Sequence, residues 1–318
     1  MKESFIEILR CPSCKGTLSR SGDTLTCSGC SASYPIVNDI PRFVSPENYA
    51  SNFGFQWNRF SATQLDSRTG VPISRERFLR QTGWDETTLR GKRVLDAGCG
   101  AGRFAEVALS LGAEVVAIDY SSAVDAAQRN LQPHDRLHLA QADIYRLPFV
   151  PGTFDFVYSL GVLQHTPDVK RATQAVIEMA KPGGGVTVDL YLRRWTNVLE
   201  PKYWFRPITT RMKQERLFAA IERTVPALLA VSNAVRRIPK VGRYAQKLVP
   251  VANYRGVYAL NDRQLREWAV LDTFDWFGPR FDQPQDATTL RQWLAEAGLE
   301  QIDVHHTYHL TGRGVRPA

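Results

Sequence analysis

Three acidic residues stand where apolar runs of the chain come to an end. Asp96 follows Arg93-Val94-Leu95, Asp119 follows Glu114 to Ile118, and Asp143 follows Leu137 to Ala142. Between the first two lies Gly98-Cys99-Gly100-Ala101-Gly102, a tight turn where glycine lets backbone approach a ligand closely. The G-x-G-x-G spacing departs from the dinucleotide fingerprint, because Arg103 stands where that pattern expects a residue before its last glycine. It also lacks the Gly-Lys-Ser/Thr of a phosphate-binding P-loop. An acid at position 96 would repel pyrophosphate and favour a ligand bearing an ammonium group. Asp119, 23 residues after Asp96, stands where a carboxylate accepts from both ribose hydroxyls. Acids at three successive strand ends point to a nucleoside ligand. His165, just past the predicted strand Phe154–Ser159, is a candidate general base, with an unperturbed pKa of ~6.5. The alternative is that it caps the helix predicted from Asp168 or bonds a carbonyl. Tyr191 ends a further predicted strand and is placed to line the pocket. Asp275 and Asp282 fall in a predicted aromatic-rich loop that either closes over substrate or packs on a neighbouring insert. His305, His306 and His309 fall on the last predicted strand, where most are expected at the surface.

A second constellation precedes these. Cys11, Cys14, Cys27 and Cys30 form a C-x2-C-x12-C-x2-C pattern, which brings four thiolates together as tetrahedral Zn²⁺ requires, at ~2.3 Å per sulfur. The alternatives are two disulfides or a thioredoxin-like redox pair. No βαβ unit surrounds either pair, so a structural zinc ribbon is expected, with no open coordination position for catalysis. The residues between the pairs read as a hairpin, and a module of this size with so few large apolar residues would hardly fold without its metal.

The elements that must position the acids alternate. Strands are predicted at 93–96, 114–119, 137–144, 154–159 and 185–192, with helices at 105–111, 121–131 and 168–181. That alternation predicts an α/β fold, a mainly parallel sheet with helices on both faces and ligands at the strands' carboxyl ends. A helix from Asp262 to Trp268, another from Asp286 stopped by Gly298, a strand over 302–308 and a thin seventh strand around 312–316 complete it. Residues 53–64, with Phe53, Phe55, Trp57 and Phe60, form a strap between ribbon and main domain, or a lid over the pocket with Gln64 as a contact.

The chain has 318 residues, 43% of them apolar, with 40 Lys+Arg against 32 Asp+Glu. It can bury a sizeable core and is not disordered in composition. No unbroken apolar run reaches the ~18 residues of a membrane-spanning helix, and the start does not read as a signal peptide. Secreted disulfide scaffolds and integral membrane proteins are excluded on this reading, and a cytoplasmic location is expected. The net charge of +8 is local: residues 193–247 carry 13 Lys/Arg against Glu200, Glu215 and Glu222, a sum of +10, leaving −2 for the remainder. This insert, spanning 193–260, has apolar residues at helical spacing, with Pro226 predicted to break it or start a second helix. Its charge is simply solvated, or binds a phosphorylated or nucleotide-linked substrate, or rests on anionic lipid or RNA.

The residues quoted also carry resemblances. Residues 5–45, with the paired CxxC motifs, Tyr34-Pro35-Ile36-Val37 and Ile40-Pro41, resemble the Trm112-like zinc module, which accompanies methyltransferases. Residues 90–192 and 286–316 resemble class I S-adenosylmethionine-dependent methyltransferases of Rossmann-like fold. That resemblance implies Asp96, Gly98 and Gly100 at the methionine end, and Asp119 with Tyr120 beside it at the ribose. It also implies Asp143 at the adenine amine and Ile144 against the ring. The Ser159-Leu160-Gly161 backbone would pass beside the transferable methyl. Phe53 to Phe60, Gln64-Leu65-Asp66, Gly161 to Asp168 and Leu271 to Phe277 resemble a bacterial subgroup found near glycan and secondary-metabolite genes, in which position 164 is often His where this chain has Gln164. Implied domains are a ribbon at 1–45, a strap at 46–90 and a methyltransferase domain at 91–318. The implied activity is methylation of a small-molecule or glycan hydroxyl; RNA methylation or a cofactor-binding scaffold without turnover are the other readings.

Overall fold

The computed structural model describes residues 1–45 and 48–318. The strap expected over 46–90 thus begins on two residues, Pro46 and Glu47, that lie outside the described residues. Four short strands come first: β1 (Leu18–Ser21), β2 (Thr24–Cys27), β3 (Ser33–Val37) and β4 (Ile40–Pro41), an antiparallel sheet in that order. A second sheet holds β5 (Arg93–Ala97), β6 (Glu114–Asp119), β7 (Leu137–Gln141), β8 (Phe154–Ser159), β9 (Ala180–Leu190), β10 (Glu300–His306) and β11 (Leu310–Val315). Its order is β10-β11-β9-β8-β5-β6-β7, parallel from β9 to β7 and antiparallel at β11 and β10. The chain therefore reverses direction of travel beside β5, and the carboxyl ends of β5 and β8 flank the crevice where such sheets bind ligands.

The inner strands are apolar runs, such as Val115-Val116-Ala117-Ile118, because helices cover both faces. On one face the helices Val169–Ile177 and Ala287–Glu296 share a core with the ribbon's Phe5, Leu9, Leu25 and Ile36. The ribbon is thus supported by apolar burial against the main sheet as well as by its cysteines. On the other face the helices Ile73–Thr82 and Arg103–Ser110 pack around Phe78, Phe104 and Val107. The strap helix Ser51–Arg59 lies against the start of the helix Ala123–Leu131. A Cβ at Gly54 would lie 2.5 Å from Ser122 Oγ, so only glycine allows that approach.

Several expectations are corrected. The third core strand stops at Gln141, and Asp143 instead caps a short turn, its Oδ1 accepting from Tyr145 N at 2.9 Å. The helix expected to reach Lys181 stops at Ile177, and β9 begins at Ala180. The Lys181-Pro182-Gly183-Gly184 stretch, which precedes the strand expected from 185, lies inside β9 and is absorbed as a register shift between β8 and β9. Pro226 neither breaks nor starts a helix: Gln214–Arg236 is continuous through it. Pro226 sits on the exposed side, while Leu217, Phe218, Ile221 and Val225 bury a stripe against Val270, Phe274 and Phe277 that outweighs one lost backbone bond. By length and composition this helix could cross a membrane, which the count of unbroken apolar residues did not show; that buried stripe packs it into the fold. The helix expected from Asp262 to Trp268 runs to Phe277, and Asn261, not Asp262, caps it through a reciprocal pair with Gln264. Asp275 therefore stands on a helix and not in a loop. The predicted C-terminal pair is present, shifted to β10 and β11.

Candidate active site

A cavity of about 750 Å³ opens at the carboxyl ends of β5, β6 and β8, roofed by the strap and the basic insert. That is ample for a small ligand with room for a second.

The glycine loop forms its floor. Gly98 has φ +97° and an added Cβ would lie 2.5 Å from Val162 Cγ1, so the close approach of β5's end to the loop after β8 demands glycine. Gly98 and Cys99 both donate backbone N–H groups to the Ile118 carbonyl at 2.8 Å, tying the loop to β6. Asp119 continues that tie. Its Oδ2 accepts from Gly100 N at 3.0 Å, and its Oδ1 accepts from Ser121 N and Oγ at 2.8 and 2.7 Å. Burial raises its pKa despite those bonds. Asp96 is buried behind the loop beside the Tyr158 hydroxyl, and burial pushes its carboxyl up to about 8 against the pull of that hydroxyl, with the Asp119 charge acting in the same direction as burial.

Of the cofactor residues expected from the sequence, Gly98, Gly100, Asp119, Tyr120, Ile144 and Leu160 line the cavity. Asp96 and Ser159 are buried behind that wall, and half-buried Asp143 does not line the cavity. Ser159 Oγ donates to the Ala97 carbonyl at 2.7 Å and joins β8 to β5. The site suits a nucleoside with a cationic tail: a buried Asp96 carboxyl behind the loop, a backbone cradle without side chains, and Tyr120 and Ile144 as walls.

The far end of the cavity gathers His165, Tyr191 and Asp275, all three of which line it. His165 Nδ1 lies 2.9 Å from the Phe281 carbonyl. A carbonyl only accepts, so Nδ1 carries the proton and Nε2 keeps its lone pair. That Nε2 is buried and has no partner among the described residues. Phe53 and Tyr191 flank the ring, with centroids at 5.2 and 5.4 Å. The carbonyl bond and the placement for base catalysis thus coexist, because they use different nitrogens. Tyr191 Oη donates to Asp275 Oδ2 at 3.2 Å, and burial, followed by the charges of Asp275 and Asp282, raises its pKa well above the usual phenol value. Asp282 pairs with Lys202 Nζ at 3.0 Å, and the ammonium lies 4.8 Å from the Tyr191 ring centroid.

Other lining residues escaped the sequence reading. Arg103 donates to Gln64 Oε1 at 2.9 Å, and Gln64 Nε2 donates to Asp272 Oδ1 at 3.1 Å. Asp272 also accepts from Trp268 Nε1 at 3.0 Å and from Tyr254 Oη, and burial pushes its pKa up to about 6. This chain stitches glycine loop, strap and insert together. Its only signals were Arg103, which broke the dinucleotide pattern, and Gln64 in the strap. His309, expected at the surface, lies in the turn before β11 and lines the cavity, its Nδ1 3.6 Å from Asp189. Burial and then the Arg77 charge lower its pKa to about 3, so it is neutral. Arg77 in turn pairs with buried Asp189 at 2.8 Å.

The four ribbon cysteines converge, every Sγ within 4.8 Å of the others. Cys11–Cys30 and Cys14–Cys27 separations of 3.6 and 3.4 Å exceed a disulfide and approach the ~3.7 Å edge of a tetrahedron with ~2.3 Å metal–sulfur bonds. Gly16 N and Gly29 N donate to Cys14 and Cys27 Sγ at 3.4 and 3.3 Å, as thiolate ligands need. A Cβ at Gly16 would come within 3.0 Å of Cys27 Sγ. The cluster fits a four-thiolate metal.

Residues 95–188 match the methyltransferase domain family, and residues 2–39 match the Trm112p-like protein family. An uncharacterized protein of a Synechococcus species is 29% identical over 220 residues, 65% of this chain and 47% of its own length. A ubiquinone biosynthesis O-methyltransferase of Thiobacillus denitrificans is 38% identical over 109 residues, 32% of this chain and 47% of its own. The complex of the Haloferax volcanii Trm112 methyltransferase activator with a methyltransferase aligns at TM-score 0.49 and 15% identity, over 86% of this chain and 100% of that one. The chain spans less than half the length of these curated relatives. With the glycine loop on β5, the acid closing β6 and the four-cysteine module in front, the chain carries a methyltransferase domain over residues 95–188 behind an N-terminal Trm112-like module.

Proposed function

We propose that this protein methylates a hydroxyl of a small molecule or glycan, with S-adenosylmethionine held over the glycine loop and Zn²⁺ holding the ribbon. The observation that carries the reading is the unpartnered Nε2 of His165 in the wall of the cavity whose floor is that loop. S-adenosylmethionine supplies a methyl group on a sulfonium sulfur. In this reading Asp119 accepts from ribose hydroxyls, Ile144 packs a base, and Asp96, giving up its proton as the cation arrives, offsets positive charge from behind the loop. His165, its tautomer fixed by the Phe281 carbonyl, would take the acceptor hydroxyl's proton at Nε2 and become imidazolium, while Nδ1 keeps its bond. Tyr191, held by Asp275, and Phe53 wall off water on either side of the ring. Curated relatives named as O-methyltransferases support oxygen as the acceptor atom. A screen of cell extracts with a labelled methyl donor tests this: label transferred by wild type and lost in His165→Ala is expected, and equal labelling by the variant would remove His165 from the mechanism.

A further inference from the structure

The short helix Pro201–Thr209 is amphipathic in the wrong sense for a surface helix in water. Its charged residues face inward. Lys202 and Arg206 are each 9% exposed, Lys202 paired with Asp282 and Arg206 donating to the Trp276 and Pro279 carbonyls at 2.9 and 2.8 Å. Its exposed residues are Trp204, Phe205, Pro207 and Ile208, with Ile208 at 68%. The turn before it continues the same character, with Trp195 82% exposed beside Val198 and Leu199. A second exposed apolar group lies over residues 238–248: Ile238, Val241, Tyr244 (75% exposed) and Leu248. Both groups border the mouth of the cavity, since Arg194, Asn197 and Tyr203 from one and Gln246 and Lys247 from the other line it. Glu200 of the first segment and Lys247 of the second line the same cavity. Exposed arginines and lysines surround them, among them Arg193, Arg211, Lys213, Arg237, Lys240 and Arg243.

Solvated charge does not explain outward aromatic residues, and RNA does not call for outward Ile, Val and Leu. Tryptophan, aliphatic side chains and a basic rim on one face are what an anionic bilayer surface takes: apolar groups enter the headgroup boundary and the cations meet lipid phosphates. We propose that this face docks the protein on anionic lipid membranes, with the cavity mouth opening at the contact. The docking stands on the surface alone; that an amphiphilic methyl acceptor then enters from the lipid rests on the function proposed above.

Co-sedimentation of the full chain with phosphatidylcholine vesicles, with and without phosphatidylglycerol, tests it. Binding to the anionic vesicles, weakened by salt, is expected, and the triple variant Trp195→Ser, Trp204→Ser, Ile208→Ser should bind roughly tenfold less. Because those side chains line no part of the cavity, calorimetry should show unchanged S-adenosylmethionine affinity in the triple variant, which separates a lost docking face from a lost fold. Absence of co-sedimentation at low ionic strength, or undiminished binding by the variant, overturns the proposal. So does a dimer that the variant dissociates while neither form binds vesicles, which would give the face to a second copy. Vesicle binding needs no methyl donor, so this result and the calorimetric one fail independently.

Discussion

The two ends of the cavity are built differently. At the cofactor end, main chain does most of the work: a turn of glycines, carbonyls and N–H groups fixed by β5, β6 and β8, and one carboxylate, Asp119, tied to its neighbours at 19 residues' separation or less. At the acceptor end, side chains from remote segments converge. His165 is oriented by a carbonyl 116 residues away, and Tyr191 by an acid 84 residues away. A site made by strand ends is set by the sheet itself, whereas one made by an insert depends on how that insert packs. Changes at the first end should therefore alter cofactor affinity, and changes at the second should alter turnover.

The sharpest break between the two is His165→Ala. Loss of a positioned base should lower kcat by about a hundredfold or more with little effect on cofactor affinity, read by steady-state kinetics beside calorimetry. A fall in affinity instead of turnover would erase the distinction. Asp119→Ala should do the converse, weakening S-adenosylmethionine binding about tenfold or more, roughly 1.4 kcal/mol. Metal removal touches neither end directly. Chelation should unfold the ribbon locally, seen as a low-temperature transition, while the main sheet melts separately; because Phe5, Leu9 and Leu25 share the main core, the sheet should also lose some stability. One zinc per chain is expected by metal analysis. A further effect concerns pH. Asp96 is raised in the folded protein to about 8, from about 3.8, so its protonated form is favoured there. Its contribution to stability is full below the lower value and disappears as pH rises through the upper one. Cofactor-free protein should melt lower as pH climbs across that window, and Asp96→Asn should flatten the slope.

The same contrast governs what the sequence disclosed. Val94-Leu95-Asp96 followed by glycines, and an acid closing β6, announce a strand, a turn and a ligand because local physics suffices. Asp143 looked like a third such acid, yet its strand ends two residues earlier and it caps a turn, a difference that ladder pairing with β6 decides. The fifth strand is expected only from 185 because the bulge of Lys181 to Gly184 within β9 has the composition of a turn. Pro226 read as a break because its exposure, which makes it tolerable, is a tertiary fact. Asp275 moved from loop to helix when Leu271, Phe274 and Phe277 found a buried stripe to join. His309 and Asp272 enter the cavity through contacts that no spacing encodes. Gln164, next to His165, keeps both its amide atoms buried and without a partner among the described residues.

The most direct test of the central claim is a crystal structure with S-adenosylhomocysteine. The account predicts its ribose on Asp119, its base against Ile144 and its sulfur facing the His165 side of the cavity. A nucleoside bound anywhere else, with Asp119 still closed on Gly100 and Ser121, would contradict it.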